Sequence, residues 1–588
     1  MDNSADSGAT PPGLFFFRQV VHPLLAMTAL VCLLALVGWS GEVVTWQHWL
    51  TVAIGMTFAA ERIGTFRLLR PYGKERKRLG AHILASVVVA IISIALLLQD
   101  PLDNDAWPIG WHVFVQLTVL ISGIASLLHH KARFSSRKVH PGWLLISSFF
   151  IAIVVGTLLL KMPRSVADGE HLSWLDAAFT STSAVCVTGL VVENTATFFS
   201  PTGQVIIMLL IQAGGLGVMT LTFFAAVVLF EGLSLHDRMM LGKMLQENRL
   251  SRINKTLTFI VLMTLVCEGI GAWVLFRGMD GSLAFGERLF QSAFHSVSAF
   301  CNAGFSTLPE GMASAVVEGN LTWQFCIMAL VGIGGLGALV VEDLSHWSLA
   351  KCKKLFRREL PHPRLRVHTR LVLAITGCLV FGGALIIYTT EFLLSDGPAN
   401  GGNATTALFH SITARTAGFN TVDLNGIAPL TVQILMVLMI IGGSPGGTAG
   451  GLRTTVVAVG LGHLWLQMRS SKRGMVAFNR KIPAATGARA LGVMVLAAIW
   501  LGINYILLQL IETGSGISET RLFFELVSSF ATVGLSLDAT AELSEGGKAL
   551  IILNMFVGRI GLLAVLAAML RRDTRPASGK PEEDILLT

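Results

Sequence analysis

The sequence predicts an all-α membrane protein. Its plan is four fused span–re-entrant loop–span repeats in a pseudo-fourfold ring, plus four extra N-terminal transmembrane helices. Three observations carry this prediction. Of 588 residues, 53% are hydrophobic and only 14% charged, against about 25% charged in an ordinary soluble domain. Twelve long apolar segments divide the chain, and about 20 apolar residues cross the hydrocarbon once. A phenylalanine-led motif occurs four times at a spacing of 115 residues. Such a chain is not a soluble enzyme, a disordered regulator or a fibrous protein.

Taken in order, residues 1–19 read as a cytoplasmic tail. Met1–Pro12 holds two acids and no base, unlike the basic start of a secretory signal. Residues 20–130 hold four apolar segments, near 20–38, 48–66, 82–99 and 112–128. Eight more follow, near 143–160, 204–230, 256–276, 322–341, 371–391, 430–465, 490–511 and 547–570. They read as helices, because a lone span must satisfy its own backbone hydrogen bonds. The repeats occupy 140–235, 250–350, 368–468 and 488–571, and a cytoplasmic tail follows at 572–588. Seven cysteines, none in a CxxC pair, argue against a disulfide framework. Glu61 and Arg62 sit near the basic end of a span, where long side chains snorkel to the interface.

Positive charge orients the spans. The stretches 131–138, 236–255, 351–370, 467–489 and 571–588 carry 27 Lys/Arg, whereas the opposite loops carry six. The basic side is cytoplasmic, and both termini lie there. This alternation of basic stretches with spans explains the net charge of +8 as topology, not as a nucleic-acid surface.

The four motif copies are Phe179-TSTSAVCVTGL, Phe294-HSVSAFCNAGF, Phe409-HSITARTAGF and Phe524-ELVSSFATVGL, closing on Gly189, Gly304, Gly418 and Gly534. The third copy is one residue shorter. Each lies between two spans, on the side poor in Lys/Arg, and is too short to cross. The expected unit is a half-helix, a short extended turn and a return span. A cation leaving water needs oxygens in place of its hydration shell, which rings of backbone carbonyls supply. Glycine permits the backbone angles that turn carbonyls to an axis, and half-helices ending there aim their negative ends at the ion. On this reading the re-entrant segments are pore loops. Ser183, Ser298, Thr413 and Ser528 either contribute to this site or pack helices. Glu193, Glu310, Asp423 and Asp538 follow the four glycines and either ring one mouth or are solvated loop acids.

Thr532-Val-Gly-Leu535 looks like the T-V-G part of a potassium-channel filter. The four segments together resemble the Trk/Ktr/HKT superfamily of potassium-uptake proteins, of the bacterial TrkH/KtrB membrane-subunit type, over about 140–588. The resemblance implies potassium sites at Val187, Thr188, Gly189, Asn302, Ala303, Gly304, Thr416, Ala417, Gly418, Thr532, Val533 and Gly534. Gly189 favours potassium, because sodium-preferring plant relatives have serine there. With about one glycine per strand, discrimination is expected to be weaker than in a T-V-G-Y-G filter.

A second matched feature lies in each return span: Gly214–Gly217, Gly334–Gly337, Gly442–Gly451 and Gly558–Gly561. The third holds six glycines and a proline in ten residues, so an uninterrupted helix is excluded and a mid-membrane break is expected there. The resemblance makes Gly442, Gly443, Ser444, Pro445, Gly446, Gly447, Thr448, Gly450 and Gly451 a gate. Arg559 becomes a positive barrier beside it. A charge at the bilayer centre costs at least ~2.5 kcal/mol and usually carries function. Structural helix pairing is the alternative for Arg559. Arg415 is expected to brace the filter from behind. A phosphate-binding P-loop is the rival for 442–451, but Leu452-Arg453 follows where Lys-Ser/Thr is needed.

Two departures stand out. Gly558-RIGLL replaces an expected proline-containing form, and four spans precede the repeats where the bacterial relatives have fewer. The resemblance further implies a homodimer in the bacterial inner membrane. Its partner would be a cytosolic nucleotide-binding regulatory subunit of the TrkA/KtrA type, docked on the basic loops. The C-terminal Pro581–Thr588 favours the Ktr branch. The expected function is potassium uptake through a gated four-loop filter, driven by membrane potential and with sodium coupling open. No cofactor is expected, and potassium is the substrate. Two alternatives are weighed: the potassium-binding subunit of an ATP-driven pump, and a membrane enzyme. The enzyme lacks HExxH, GxSxG and paired intramembrane aspartates. His295 and His410, each after a motif phenylalanine, are expected to pack behind the filter.

Overall fold

A computed structural model describes residues 45–68, 87–96, 111–119, 141–217, 253–279, 283–356 except 315, 316 and 318, 364–393, 403–469 and 475–562, with a few more between 25 and 32. The tails 1–19 and 572–588, the basic stretch 131–138, residues 236–252 and the side chains of Glu61 and Arg62 lie outside the described residues.

Within them the chain is almost wholly helical, apart from a two-residue hairpin pairing Val476–Ala477 with Arg480–Lys481. Among the described residues three helices are long and apolar enough to cross a membrane: Lys255–Gly278, Val367–Glu391 and Ala484–Ile511. Four helix triplets follow one another. Each has a first helix, a short helix and a closing helix. The first helices are Pro141–Leu160, Ile253–Gly278, Val367–Tyr388 and Ala484–Ile511. The short helices are Trp174–Val185, Phe285–Phe300, Ala404–Thr413 and Glu519–Ala531. The closing helices are Pro201–Leu216, Leu321–Leu336, Pro429–Ile440 and Glu545–Ile560.

Local chemistry sets where these helices start. The side chains of Ser173, Ser200, Asn320, Ser518 and Ser544 each accept a first-turn backbone N–H, satisfying donors that have no partner within the helix. Pro201 and Pro429 stand at the first helical position, where no N–H is needed. The motif residues Phe179, Phe294, Phe409 and Phe524 are fully buried. Two residues on, Ser181, Ser296 and Ser411 donate to carbonyls of their unit's first helix, at Ile153 (2.8 Å), Glu268 (2.6 Å) and Val380 (2.8 Å). These bonds tie the short helix to the first helix in three units. Leu526 takes the position in the fourth.

The closing helices depart from expectation. The segments 204–230, 322–341 and 547–570 read as continuous spans, with a break expected only at 442–451. Instead the closing helices are 16, 16, 12 and 16 residues long, short of the roughly 20 needed to cross. Three end on the last glycine of the matched feature, with φ of 77° at Gly217, 81° at Gly337 and 89° at Gly561. After Gly337 the helix Ala338–Phe356 leaves at about 100° to its predecessor. The first glycine of each feature has a different task. A Cβ would lie 2.0 Å from the Val185 carbonyl at Gly214, 2.0 Å from that of Phe300 at Gly334, and 1.9 Å from that of Phe530 at Gly558. These glycines let the closing helix pass directly against the C-terminal end of the short helix.

The N-terminal region contributes the helix Thr45–Leu68 and helical pieces at 87–96 and 111–119. They pack on one another through Ile54, Phe58, Val89, Val115 and Val119.

Candidate functional site

Each short helix ends in an extended segment whose backbone hand alternates. Val187, Asn302, Thr416 and Thr532 have φ of 56°, 59°, 74° and 49°, and the closing glycines have φ of 91°, 73°, 78° and 95°. The residues between, Thr188, Ala303, Ala417 and Val533, are outside the positive-φ region. Alternating hand turns successive carbonyls to one side of a strand, whereas a regular strand points them to both. For a β-branched residue the left-handed region is a real outlier, costing about 1–3 kcal/mol, and it persists only where the surroundings enforce it.

The enforcement comes from the matched Ser/Thr. The Ser183 carbonyl accepts the Thr188 N–H (2.8 Å), and its hydroxyl accepts the Gly189 N–H (3.1 Å). Ser528 repeats this arrangement with Val533 (2.9 Å) and Gly534 (3.1 Å). Thr413 takes Ala417 N–H on its carbonyl (2.9 Å) and Phe419 N–H on its hydroxyl (2.8 Å). Ser298 takes Ala303 N–H on its carbonyl (2.7 Å), but its hydroxyl donates to the Phe305 carbonyl (2.8 Å). All four residues thus hydrogen-bond the extended segment of their own unit.

The four segments meet in cyclic order. A Cβ on Gly189 would fall 2.3 Å from the Ala303 carbonyl oxygen, and one on Gly304 2.8 Å from that of Ala417. On Gly418 it would fall 2.4 Å from the Val533 oxygen, and on Gly534 2.2 Å from that of Thr188. Each glycine also faces the next glycine's Cα at 3.0–3.1 Å from that Cβ position. The order of contact is first, second, third, fourth, first. Side chains link three of the four junctions in the same circuit: Asn194 donates to the Pro309 carbonyl (2.9 Å), Asn425 to Asp538 (2.6 Å) and Lys548 to Asp176 (2.8 Å).

On one side of the ring is a cavity of about 400 Å³ bordered by all four glycines. Glu193, Glu310 and Asp538 line it, and Asp423 does not. Asp423 instead accepts the Asn425 N–H and caps the turn Leu424–Gly426, so the expected ring of four acids has three members. Burial raises the Glu193 carboxyl above the ordinary carboxylate range, with nearby Asp176 adding to the rise.

On the other side lies the glycine-rich loop. Ile441 and Leu452 bridge in parallel, and Gly442 N–H reaches the Leu452 carbonyl at 2.9 Å. Ser444 donates its N–H to the Gly335 carbonyl (3.0 Å) and its hydroxyl to that of Leu336 (2.5 Å). Thr448 N–H reaches the Gly334 carbonyl at 3.4 Å. The broken second closing helix therefore anchors the loop of the third unit. Gly450 abuts the Thr532 side chain, where a Cβ would come within 2.2 Å of its hydroxyl, so the loop lies directly against the fourth extended segment. Pro445, Gly446 and Gly447 form its turn, with Gly446 at φ 81° and Gly451 at φ 65°. Arg559, half-buried, donates to the Thr448 carbonyl and to that of Gly214 at 2.7 Å. One guanidinium thus ties together parts of three units. Arg415 is buried, and its guanidinium donates to the Gly442 carbonyl at 3.4 Å.

The hydroxyls of Thr188, Thr448 and Thr532 are buried without a hydrogen-bond partner. Among the described residues no group of three His, Cys, Asp or Glu could hold a metal ion, and all seven cysteines are free.

The family model TrkH, described as a cation transport protein, matches residues 112–574. The potassium/sodium uptake protein NtpJ of Enterococcus hirae is 33% identical over 77% of this chain and 98% of its own. The Ktr system potassium uptake protein B of Vibrio alginolyticus is 35% identical over 76% and 94%. The solved potassium transporter TrkH of Vibrio parahaemolyticus shares the fold, with a TM-score of 0.58 and 15% identity over 95% of this chain and all of its own.

Proposed function

The chain belongs to the TrkH family of cation transport proteins, and from that premise we propose that it takes up potassium through the ring of four glycine-closed segments. The observation that carries this reading is the cyclic approach of Gly189, Gly304, Gly418 and Gly534, each against the carbonyl of the next segment. Such a closed ring of backbone oxygens replaces a hydration shell. The ion contacts assigned to it are the carbonyls of Val187–Gly189, Asn302–Gly304, Thr416–Gly418 and Thr532–Gly534. The partnerless hydroxyls of Thr188 and Thr532 are further oxygen donors. The units acting as pore repeats are 140–235, 250–350, 368–468 and 488–571.

The three-acid cavity is the outer mouth, where negative charge raises the local cation concentration. The loop 442–451 is the gate. Arg559 holds it shut by one charge-assisted hydrogen bond to the Thr448 carbonyl while a second, to Gly214, anchors the guanidinium to the first unit, and its own charge lowers cation occupancy beneath the filter. Gly334, Gly335 and Leu336 give the loop a second anchorage. The driving force is membrane potential, about 2.3 kcal/mol per charge per 100 mV. The protein works in the bacterial inner membrane with both termini cytoplasmic, as a homodimer with a nucleotide-binding regulatory subunit on its basic loops.

The test is potassium and sodium flux into liposomes holding the purified chain at a fixed imposed potential. Saturable potassium flux above sodium flux is expected. Equal, unsaturable flux of both ions would overturn the filter assignment. No flux of either, with or without the cytosolic subunit, would overturn transport by this chain.

A further inference from the structure

The residue directly after each motif phenylalanine is of three kinds across the four units: Thr180, His295 and His410, and Glu525. All four are buried. In three units this residue reaches the chain just beyond the filter glycine. His295 Nε2 pairs with the Ser306 hydroxyl at 2.9 Å, and His410 Nε2 with that of Thr421 at 3.3 Å. Glu525 makes three such bonds. It accepts from the Ser536 hydroxyl (2.5 Å), the Leu537 N–H (3.1 Å) and the Thr540 hydroxyl (2.6 Å). Thr180 has no hydrogen-bond partner for its hydroxyl.

We infer that Glu525 is a positioning residue for ion discrimination, fixing the outer end of the fourth filter segment from behind. It touches no ion itself. Bonds to a charged acceptor are about twice as strong as neutral ones, and Glu525 makes three where its counterparts make one or none. Ser528 holds the same segment through the Val533 and Gly534 N–H groups, so Thr532–Gly534 is held both from within its own helix end and from the chain just beyond it. The fourth segment is therefore the stiffest of the four, and the first, behind which Thr180 stands unpaired, lacks this clamp. A carbonyl ring tells ions apart only if its oxygens resist closing on the smaller one, so the stiffest segment should weigh most in discrimination.

This inference rests on the filter reading above, and the experiment separates the two. Potassium and sodium fluxes into liposomes are compared for the wild type, E525A, E525Q, T180A and the double variant S536A/T540A. E525A should lower the potassium-to-sodium ratio about tenfold, the scale of one charge-assisted hydrogen bond. E525Q and S536A/T540A should fall between, and T180A should stay within about twofold of wild type. If E525A does not fold, E525Q and the double variant still decide, because they remove donors or charge without opening a cavity at Glu525. Unchanged ratios in both would overturn the inference, as would a fall in T180A as large as in E525Q. A wild type that does not discriminate removes the filter reading, and this inference with it.

Discussion

In the ring of glycine-closed segments the four units contribute alike, and at the glycine-rich loop they do not. Above, each unit supplies a left-handed residue, a glycine and a Ser/Thr that holds them, and each glycine meets the next unit's carbonyl at 2.2–2.8 Å from its Cβ position. Below, the third unit supplies a ten-residue loop, the fourth an arginine, and the first and second only the carbonyls that receive their bonds. An ion on an axis needs oxygens all round, so the contact surface is held near fourfold. On the gate reading proposed above, blocking a path needs a single obstacle, and equality is lost where the loop sits.

The comparison breaks most visibly at a filter glycine. Gly534→Ser places a Cβ 2.2 Å from the Thr188 carbonyl at φ 95°, and the potassium-to-sodium flux ratio should fall by about tenfold or more. Gly418→Ser should fall as far. A change confined to one of the two would show that the ring is not equivalent. Next comes the obstacle. Arg559→Ala removes two hydrogen bonds to carbonyls, each worth about 1.5–3 kcal/mol when the donor is charged, and flux should rise about tenfold with the ion ratio unchanged. A rise accompanied by lost selectivity would mean that filter and loop are not separable parts.

Smaller effects refine the fourfold side. Ser528→Ala removes one hydroxyl acceptor behind Gly534, worth about 1 kcal/mol, and the flux ratio should fall about fivefold. Ser298→Ala, whose hydroxyl donates instead of accepting, tests whether the second unit is held by the same logic. The smallest effect belongs to the mouth. Glu193→Gln with Asp538→Asn should lower potassium flux about twofold at low ionic strength and leave it unchanged at high salt. Burial raises Glu193, so it loses its charge earlier than an ordinary carboxylate as pH falls. Wild-type flux at low salt should therefore decline on acidification from above the usual carboxylate range, and Glu193→Gln should flatten that decline.

Much of this was legible because the repeat is written covalently. The 115-residue period of Phe179, Phe294, Phe409 and Phe524 and the glycines that close each motif located all four segments. The composition of 442–451 excluded a helix. The breaks at Gly217, Gly337 and Gly561 were not legible, because apolar residues continue past them and a lone glycine costs a helix only about 1 kcal/mol. Each break comes three residues after a glycine, Gly214, Gly334 or Gly558, that packs on a short-helix carbonyl, a tertiary contact that sequence does not display. The positive φ of Val187 and Thr532 was equally hidden, since β-branching argues against it. Asp423 matched its counterparts in spacing yet caps a turn, because Asn425 stands two residues on. Glu525 drew no notice in sequence, being alone among its equivalents in carrying a charge.

Lys548 reaches Asp176 across 372 residues of chain, and Arg559 reaches Gly214 across 345. Both contacts join the last unit to the first. A ribosome makes these ends at different times, at about 5–20 residues per second. The first unit therefore waits in the bilayer with one flank open until the fourth is inserted. A nascent chain stopped after the third unit is an arc, and the Thr188 carbonyl that Gly534 will face then has lipid or a chaperone beside it. Arrest of synthesis before Gly534 should leave a species that membrane proteases clear faster than the finished protein.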